Sequence, residues 1–401
     1  MLNIEQHITL LCDHNITQKP RSSRLLQMLC GITTLNLHIN IIAKECTSLE
    51  FLSNLSPHLK LLSFPADKTS KQRNAQENAL IQSYCHKGEF EPLIYTPARL
   101  HIRKYLDSLP QQDLLIIEDI TLLPFACDYK KSFPHCKILI DLREFYPLEY
   151  ENDPVWVQGL GRLFVYLCEV YLPRVDYAIS VSEGLCERYK RDYGILCEVL
   201  YSLPPFFESA PKPTFAQHIK ILYHGFISPD RSSQEMLELG ERLSESDKKY
   251  QLYVMALSNQ KGFLEDFMQK AHKIRSLSVL PPVMMQEIIP FSRDFDIGLI
   301  PFKPTTFNLT HCMPNKLFEY IQARLAICAT PLPDIARFLK QNACGIVSNG
   351  FEVSHIMQTL ESLTPEEINT FKANAHKSAY QWSMQTNQML VERIVSGLLE
   401  R

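Results

Sequence analysis

Short apolar runs alternate with helix-patterned stretches along most of this 401-residue chain. In the first half, each apolar run predicts a buried strand, and the runs cover residues 7–12, 37–43, 114–118, 137–141 and 177–181. Strands separated by helices require crossover connections, which are right-handed and give a mainly parallel sheet with helices on both faces. The first half is therefore predicted to form a doubly wound α/β domain.

A proline-rich stretch, LPPFFESAPKPTFAQ at 203–217, interrupts this rhythm and indicates an extended connection. The alternation then restarts, with predicted strands at 219–223, 251–256, 277–280, 296–301, 326–330 and 345–348. Residues 365–401 show only helical spacing, which predicts two closing helices. We expect one Rossmann-like domain at 1–205, a second at 206–380, and a final helix at 381–401 that crosses back to the first domain.

The charge balance and the glycine count exclude several classes of protein. Lys and Arg number 41 against 44 Asp and Glu, so no broad cationic surface is available for nucleic acid. Thirteen glycines are roughly half of average usage, which makes glycine-rich phosphate loops scarce. His14-Asn15-Ile16-Thr17 follows the first strand where a dinucleotide-binding enzyme has G-x-G-x-x-G, so a nicotinamide oxidoreductase is disfavoured.

Twelve cysteines are scattered along the chain without a CxxC pair or a His/Cys spacing typical of zinc sites. We therefore expect buried, reduced cysteines, no metal and no other cofactor. The N-terminal residues lack the basic and apolar regions of a secretory signal, and no stretch approaches the roughly 18 apolar residues of a membrane span. These features favour a cytoplasmic protein.

The most informative motif is PNKLFEYI at 314–321, which follows a predicted strand and opens a helix. Pro314 in the first turn, with Asn315 and Lys316 beside it, offers backbone N–H groups and a cation to a diphosphate. Glu319 lies one turn after Asn315, so its carboxylate could accept hydrogen bonds from a ribose diol. A surface helix with a solvated lysine and glutamate is the alternative explanation.

A second candidate segment opens the second domain. Gly225 ends a predicted strand and allows close approach of a ligand to the backbone, and Arg231 lies near a helix start, where a guanidinium grips phosphate well. Lys261 is a candidate for a second phosphate cation. An ordinary strand-loop-helix turn capped by Asp230 and a solvated lysine would explain the same residues.

In the first domain, Arg21 and Arg24 follow the first strand and open a helix, so they are candidates for the acceptor side; a basic helix start without a ligand is the alternative. Asp141, Arg143 and Glu144 follow a central strand and are expected at the carboxyl ends of the strands, where α/β sheets bind ligands. These three are the candidate catalytic residues. A guanidinium cannot act as a base, so any proton-transfer role moves to Glu144 or disappears.

Three segments together resemble glycosyltransferases related to family 4. PNKLFEYIQARLAICATPLPDI at 314–335 resembles their donor-binding segment of the PNKxFEY subgroup. DLREFYP at 141–147 resembles a D-x-x-E-x-Y-P turn, and DYAISVSE at 176–183 resembles a strand of the same domain. The resemblance covers roughly residues 130–400 and implies the GT-B fold, in which two Rossmann-like domains face each other across a cleft.

The resemblance also implies roles for individual residues. Gly225 and Arg231 match a donor loop, and Asn315, Lys316 and Glu319 match the donor-binding helix. It implies a nucleotide-sugar donor held by the second domain, with protein cations rather than a metal at the diphosphate.

The chain departs from the family pattern at several of these positions. His311 stands where many members carry a carboxylate, Arg324 replaces a common glycine, and Ala326 replaces a proline. Pro331 occupies a turn position where an acid is usual, and Arg143 occupies a position that is often histidine. These departures do not change the expected fold. They fall at functional positions of the family pattern, so they concern the activity.

The resulting hypothesis is a retaining, metal-independent glycosyltransferase that acts on a saccharide or lipid-linked acceptor. By family habit we expect a role in bacterial surface polysaccharide synthesis, such as lipopolysaccharide or capsule, with peripheral contact at the cytoplasmic face of the inner membrane. Two alternatives stay open: a sugar-nucleotide 2-epimerase, and a degenerate GT-B protein that acts as a non-catalytic partner subunit.

Overall fold

The structure, a computed structural model, describes residues 5–49, 58–228 and 233–400, with Lys261 described by its backbone only. The chain divides into two compact units. The first comprises Met1–Ser202, Thr306–Asn308 and Asn387–Arg401, and the second comprises Leu203–Thr305 and Leu309–Thr386. Each unit contains its own parallel sheet with helices between the strands, which confirms the predicted fold class of two doubly wound α/β domains.

The sheet of the first unit has seven strands in the order β3-β2-β1-β4-β5-β6-β7, all parallel. The strands are β1 (Glu5–Cys12), β2 (Asn36–Lys44), β3 (Leu59–Phe64), β4 (Leu114–Ile117), β5 (Lys137–Leu142), β6 (Tyr177–Ser180) and β7 (Cys197–Val199). The central strands are buried almost throughout, as is typical of parallel strands covered on both faces.

The sheet of the second unit has six parallel strands in the order β10-β9-β8-β11-β12-β13. They are β8 (Ile219–Phe226), β9 (Tyr250–Leu257), β10 (Leu277–Leu280), β11 (Ile297–Ile300), β12 (Ala326–Ala329) and β13 (Gly345–Val347).

Helices connect the strands in both units. Up to residue 202 they are α1 (Pro20–Cys30), α2 (Ala75–Lys87), α3 (Glu91–Ile94), α4 (Leu100–Ser108), α5 (Leu123–Ser132), α6 (Pro154–Gln158), α7 (Leu160–Tyr171) and α8 (Glu183–Tyr193). Beyond it they are α9 (Ser233–Glu245), α10 (Lys261–Ala271), α11 (Ile288–Ser292), α12 (Phe307–Thr310), α13 (Asn315–Gln322), α14 (Pro333–Asn342), α15 (Val353–Ser362), α16 (Pro365–Ser378) and α17 (Met384–Leu399). In the part of the chain that the structure describes, no helix is both long enough and apolar enough to cross a membrane.

Two strands, β3 and β7, were not predicted from the sequence. Both lie at the edges of the seven-stranded sheet, and most of their residues are only partly buried. An edge strand covers less of the core, so it lacks the continuous apolar run on which the prediction depended.

In both sheets, strands that are distant in sequence pair at the centre. β1 lies between β2 and β4, and β8 lies between β9 and β11. The connections that leave β1 and β4 therefore run to opposite sides, and the same holds for β8 and β11. In open α/β sheets this arrangement opens a crevice beyond the carboxyl ends of the two strands.

The last helix of the chain contributes to the core of the first unit. Asn387 donates from Nδ2 to the Tyr201 carbonyl at 2.7 Å, and Gln388 donates from Nε2 to the Met28 carbonyl at 2.9 Å. Val391, Ile394 and Val395 are buried, and they line a small cavity together with leucines of α1.

The structure accounts for Arg324, which stands where the family pattern has a glycine. It follows α13 with a φ of +61°, a left-handed conformation that favours glycine. Its side chain is only 1% exposed and donates to the carbonyls of Phe207 at 2.8 Å, Gln322 at 2.6 Å and Ile321 at 3.2 Å, and to Nδ1 of His376 at 3.1 Å. The arginine therefore offsets its backbone strain by fixing the proline-rich connection to the second unit.

The Arg324→Gly variant should be less stable than the wild type by about 3 kcal/mol, because relief of backbone strain does not replace the lost hydrogen bonds to buried carbonyls. Urea denaturation followed by Trp382 fluorescence, in a Trp156→Phe background, reports on the second unit. Ala343→Gly is the matched control, since Ala343 is exposed with a φ of +47°. This control should stay within about 1 kcal/mol of the wild type. Equal stability of the two variants would contradict the role assigned to Arg324.

Candidate functional site

The carboxyl end of β8 approaches the side chain of a buried lysine. Gly225 has a φ of +128°, and a Cβ at this position would lie 3.4 Å from Nζ of Lys316. Lys316 is 7% exposed, and its Nζ lies 3.8 Å from the ring centroid of Tyr223 and 4.8 Å from that of Phe302. These aromatic faces hold the ammonium group by cation–π attraction. Gly225 is thus favoured by its backbone conformation, because a φ of +128° is one that other residues rarely adopt.

The PNKLFEY helix, α13, begins directly after Pro314, which adopts an extended conformation at the N-cap. The N-cap residue forms no side-chain capping hydrogen bond, so the N-terminus of α13, with the positive end of the helix dipole, carries no side-chain cap. Asn315 is half-buried at the first helical position. Because Lys316 follows it, α13 combines a cation with helix N–H groups, as expected for an anion site.

Glu319 is buried at 5% exposure on α13 and lies beside a histidine of β8. Nε2 of His224 is 3.5 Å from Oε2 of Glu319, and the imidazole packs edge-on against Tyr320 at a centroid distance of 5.1 Å. Burial and the nearby Lys316 charge lower the pKa of His224 to about 3. The imidazole is therefore neutral, and the group around Gly225 contains one carboxylate and one ammonium. The sequence analysis did not select His224, although it stands next to Gly225.

His311, which replaces a carboxylate of the family pattern, is paired with another acid. Its Nδ1 is 2.7 Å from Oδ2 of Asp334, and the other oxygen of Asp334 accepts from Nη2 of Arg337 at 2.7 Å. Asp334 is itself buried, in the first turn of α14. The chain thus holds a carboxylate close to position 311 from a different helix.

Two further donor-side candidates are not tested by the structure. Arg231 lies outside the described residues, and the backbone of Lys261 begins α10, while its side chain is not described. Their roles remain predictions.

In the first unit, Asp141 and Arg21 form a buried, bidentate ion pair. Nε of Arg21 donates to Oδ2 of Asp141 at 2.6 Å, and Nη2 donates to Oδ1 at 2.7 Å. Nη1 of Arg21 donates to the Leu200 carbonyl. This geometry satisfies both charged groups within the protein, so the pair joins α1 to the carboxyl end of β5.

The other candidates of the first unit differ in exposure. Arg24 is buried, and its Nη1 donates to the Ser202 carbonyl at 2.7 Å. Arg143 is half-buried, with Nη2 3.4 Å from Oδ2 of Asp119. Glu144 is exposed. Of the three candidate catalytic residues, only Glu144 therefore carries an exposed carboxylate.

His14, Ser22 and Glu118 lie close together near the carboxyl ends of β1 and β4. None of them was predicted as a site residue. The hydroxyl of Ser22 donates to Oε2 of Glu118, and Nε2 of His14 lies 2.8 Å from Oγ of Ser22. Burial, with a smaller contribution from Asp141, raises the pKa of Glu118 to about 7. Burial and Arg143 lower the pKa of His14 to about 3. The available sequence signal was their place at the end of a predicted strand, just after one, or at the start of the following helix.

Comparison with known proteins supports the fold. No protein-family model matches the chain, and no curated protein matches it. Among solved structures, sucrose-phosphate synthase from Thermosynechococcus elongatus superposes with a TM-score of 0.72 at 10% identity, covering 98% of this chain and 99% of that one. A glycosyltransferase from Rickettsia africae gives 0.66 at 12% identity, covering 99% of each chain. HepE from Anabaena in complex with UDP-glucose gives 0.64 at 11% identity, covering 97% and 99%. The likeness confirms the GT-B fold class.

The pKa of Glu118 predicts how stability depends on pH. Because folding raises this pKa from 4.5 to about 7, the protonated form is favoured in the native state. Stability should therefore fall as pH rises through the window from 4.5 to about 7, by about 3 kcal/mol in total. Denaturation at pH 5 to about 8, followed by Trp156 fluorescence in a Trp382→Phe background, measures this loss.

The Glu118→Gln variant should lose this component of the pH dependence, because the amide does not titrate. Glu89→Gln, at an exposed position, is the control and should retain the wild-type pH profile. If Glu118→Gln and the wild type lose stability in parallel between pH 5 and about 8, the assignment to Glu118 is wrong.

Proposed function

We propose that this chain is a glycosyltransferase that takes a sugar from a nucleotide-diphosphate donor bound by the second unit. The observation that carries the proposal is the buried group formed by Lys316, Glu319 and neutral His224 around Gly225 at the carboxyl end of β8. A buried ammonium and a buried carboxylate on one helix match the two polar parts of such a donor, its diphosphate and its ribose.

The diphosphate is the leaving group, so catalysis depends on stabilising the negative charge that develops on it. In our proposal, Lys316 and the N–H groups at the start of α13 supply that stabilisation, with Asn315 as a further hydrogen-bond donor. Arg231 and Lys261 are proposed as additional phosphate cations. Protein cations then perform the task that a divalent metal performs in other transferases, and no metal is assigned to the diphosphate.

Glu319 is proposed to accept hydrogen bonds from the ribose hydroxyls, with His224 beside it. His311 is proposed to contact the donor sugar, and its pairing with Asp334 orients the ring so that Nε2 is directed away from the carboxylate. The substitution of a carboxylate by His311 therefore leaves a polar group on the donor side.

The acceptor is proposed to bind the first unit. Transfer breaks the bond between the anomeric carbon and the diphosphate oxygen, and forms a bond from that carbon to an acceptor hydroxyl oxygen, which loses its proton. Glu144 is the proposed proton acceptor, because it is the exposed carboxylate among the candidates. Asp141, Arg21 and Arg143 are proposed to hold the surrounding backbone in place, and Arg24 to support the acceptor side.

The finer assignments rest on the resemblance to family 4. They comprise retention of the anomeric configuration, a saccharide or lipid-linked acceptor, and a role in bacterial surface polysaccharide synthesis at the cytoplasmic face of the inner membrane. HepE, with the same fold class, was solved with UDP-glucose, which makes uridine diphosphate sugars the first donors to test.

Donor binding should raise the melting temperature of the full chain, because a ligand that binds only the native state stabilises it, by about 2.7 kcal/mol at a hundredfold excess over Kd. The panel comprises UDP, GDP, ADP, CMP and their sugars. One nucleotide class should give the shift, and Glu319→Gln and Lys316→Met should reduce it. Glu366→Gln and Lys340→Met, at exposed positions of α16 and α14, are the matched controls and should keep it.

The absence of a shift with every nucleotide would contradict the donor site and favour the non-catalytic partner subunit. If a donor binds, analysis of its products separates the remaining alternatives. A transferase hydrolyses the donor slowly and transfers the sugar when an acceptor is added, with the anomeric configuration retained. Inversion of the donor sugar at C2 without any acceptor would instead identify a 2-epimerase.

A further inference from the structure

A second cluster of chemically reactive side chains lies in the first unit, apart from the proposed donor site. Cys12 is the last residue of β1, His14 follows two residues later, and Glu118 follows β4. One donor atom from each residue lies within 4.8 Å of the other two. Among the described residues, this is the one group of His, Cys and acidic side chains that meets this criterion.

We propose that Cys12, His14 and Glu118 form a binding site for a divalent transition-metal ion, with Zn²⁺ as the best match. A thiolate, an imidazole and a carboxylate are the three ligand types that Zn²⁺ takes in proteins, whereas Mg²⁺ and Ca²⁺ require oxygen ligands. Three protein ligands leave the fourth tetrahedral position for water.

The spacing of the donor atoms agrees with this coordination. Metal–ligand bonds of about 2.0 to 2.3 Å in a tetrahedron separate the donor atoms by roughly 3.3 to 3.8 Å. Nε2 of His14 and Oε2 of Glu118 are 3.7 Å apart. The remaining distances between donor atoms are at most 4.8 Å.

A second observation points to a cation at the same place. The side chain of Glu118 is 0% exposed, and its Oε1 atom has no hydrogen-bond partner. An unsatisfied buried carboxylate oxygen is costly, and bidentate coordination of a cation through both Oε1 and Oε2 would remove that cost.

The charges around the cluster also suit a dication. The guanidinium groups of Arg21 and Arg143 face the carboxylates of Asp141 and Asp119, so these four charges cancel in pairs. Metal binding takes the deprotonated forms of both ligands, so the thiolate of Cys12 and the carboxylate of Glu118 would then contribute two negative charges, which one divalent ion neutralises.

Binding of the ion would replace the hydrogen bonds of Ser22. The hydroxyl of Ser22 donates to Glu118, so the N–H of His14 that faces it is assigned to Nε2. Coordination through Nε2 moves that proton to Nδ1 and leaves the Ser22 hydroxyl free to bond the metal-bound water. The side chain of His14 is 11% exposed, which gives the ion a route from solvent.

A bound ion would join the carboxyl ends of β1 and β4 and thereby stiffen the loops that follow them. This proposal does not depend on the glycosyltransferase hypothesis, because the site lies in the first unit and no step of transfer is routed through it.

The test uses the full chain, reduced with a phosphine that does not compete for metal, and Zn²⁺ alone. Equilibrium dialysis with metal analysis should give one equivalent of tightly bound Zn²⁺ for the wild type. Co²⁺ should produce the charge-transfer absorption of a cobalt–thiolate bond. Cys12→Ser and Glu118→Gln should weaken Zn²⁺ binding at least about tenfold, as expected for loss of a metal ligand or its nearest support.

Cys328→Ser is the matched control, because Cys328 is also a fully buried cysteine of a central strand and its loss leaves the same number of thiols. This variant should bind Zn²⁺ as tightly as the wild type and retain the Co²⁺ absorption. The proposal is overturned if the wild type binds less than one equivalent of Zn²⁺, or if Cys12→Ser and Cys328→Ser bind it equally well. If a variant does not fold, the amount of Zn²⁺ bound by the wild type still tests the proposal.

Discussion

Parallel pairing between strands that are distant in sequence is the constraint on which both candidate sites depend. β1 pairs with β4, whose first residue, Leu114, is far along the chain from Cys12, and β8 pairs with β11, whose first residue, Ile297, is far from Phe226. Backbone hydrogen bonds along these ladders fix the carboxyl ends of the paired strands side by side. Cys12 and Glu118 meet for this reason. The long crossover needed for parallel pairing also supplies the helices whose first turns face those ends.

The alternation of apolar runs in the sequence was sufficient to predict the central strands, because a parallel strand covered on both faces must be apolar along its length. Residues 277–280 were predicted and observed with the same bounds, whereas β8 continues past residue 223 to include Gly225 and Phe226. β3, with a lysine in LKLLSF, carries too few buried residues to be recognised. The degree to which a strand is buried therefore determined whether it could be predicted from the sequence.

The proposed donor-side residues could be selected from the sequence because Asn315, Lys316 and Glu319 stand on one helix, where spacing determines which side chains are neighbours. The cluster of His14, Ser22 and Glu118 was not accessible, since its members come from separate segments and each alone is an ordinary polar residue. The pairing of His311 with Asp334 shows the same limit: the substitution at 311 was visible, but its carboxylate partner lies on α14, 23 residues later.

The first unit is built from segments that lie far apart in the chain, and this affects when its core can form during synthesis. Because Asn387–Arg401 belongs to that unit, the segment up to Ser202 lacks part of its core until residues 387–401 are synthesised. All six strands of the second unit precede residue 348, so its sheet can be completed before the final helix exists. Until then, the leucines of α1 lack the valines and the isoleucine of the final helix beside them. A fragment that ends at the proline-rich connection would retain that apolar surface permanently, and the two units therefore depend on a single intact chain.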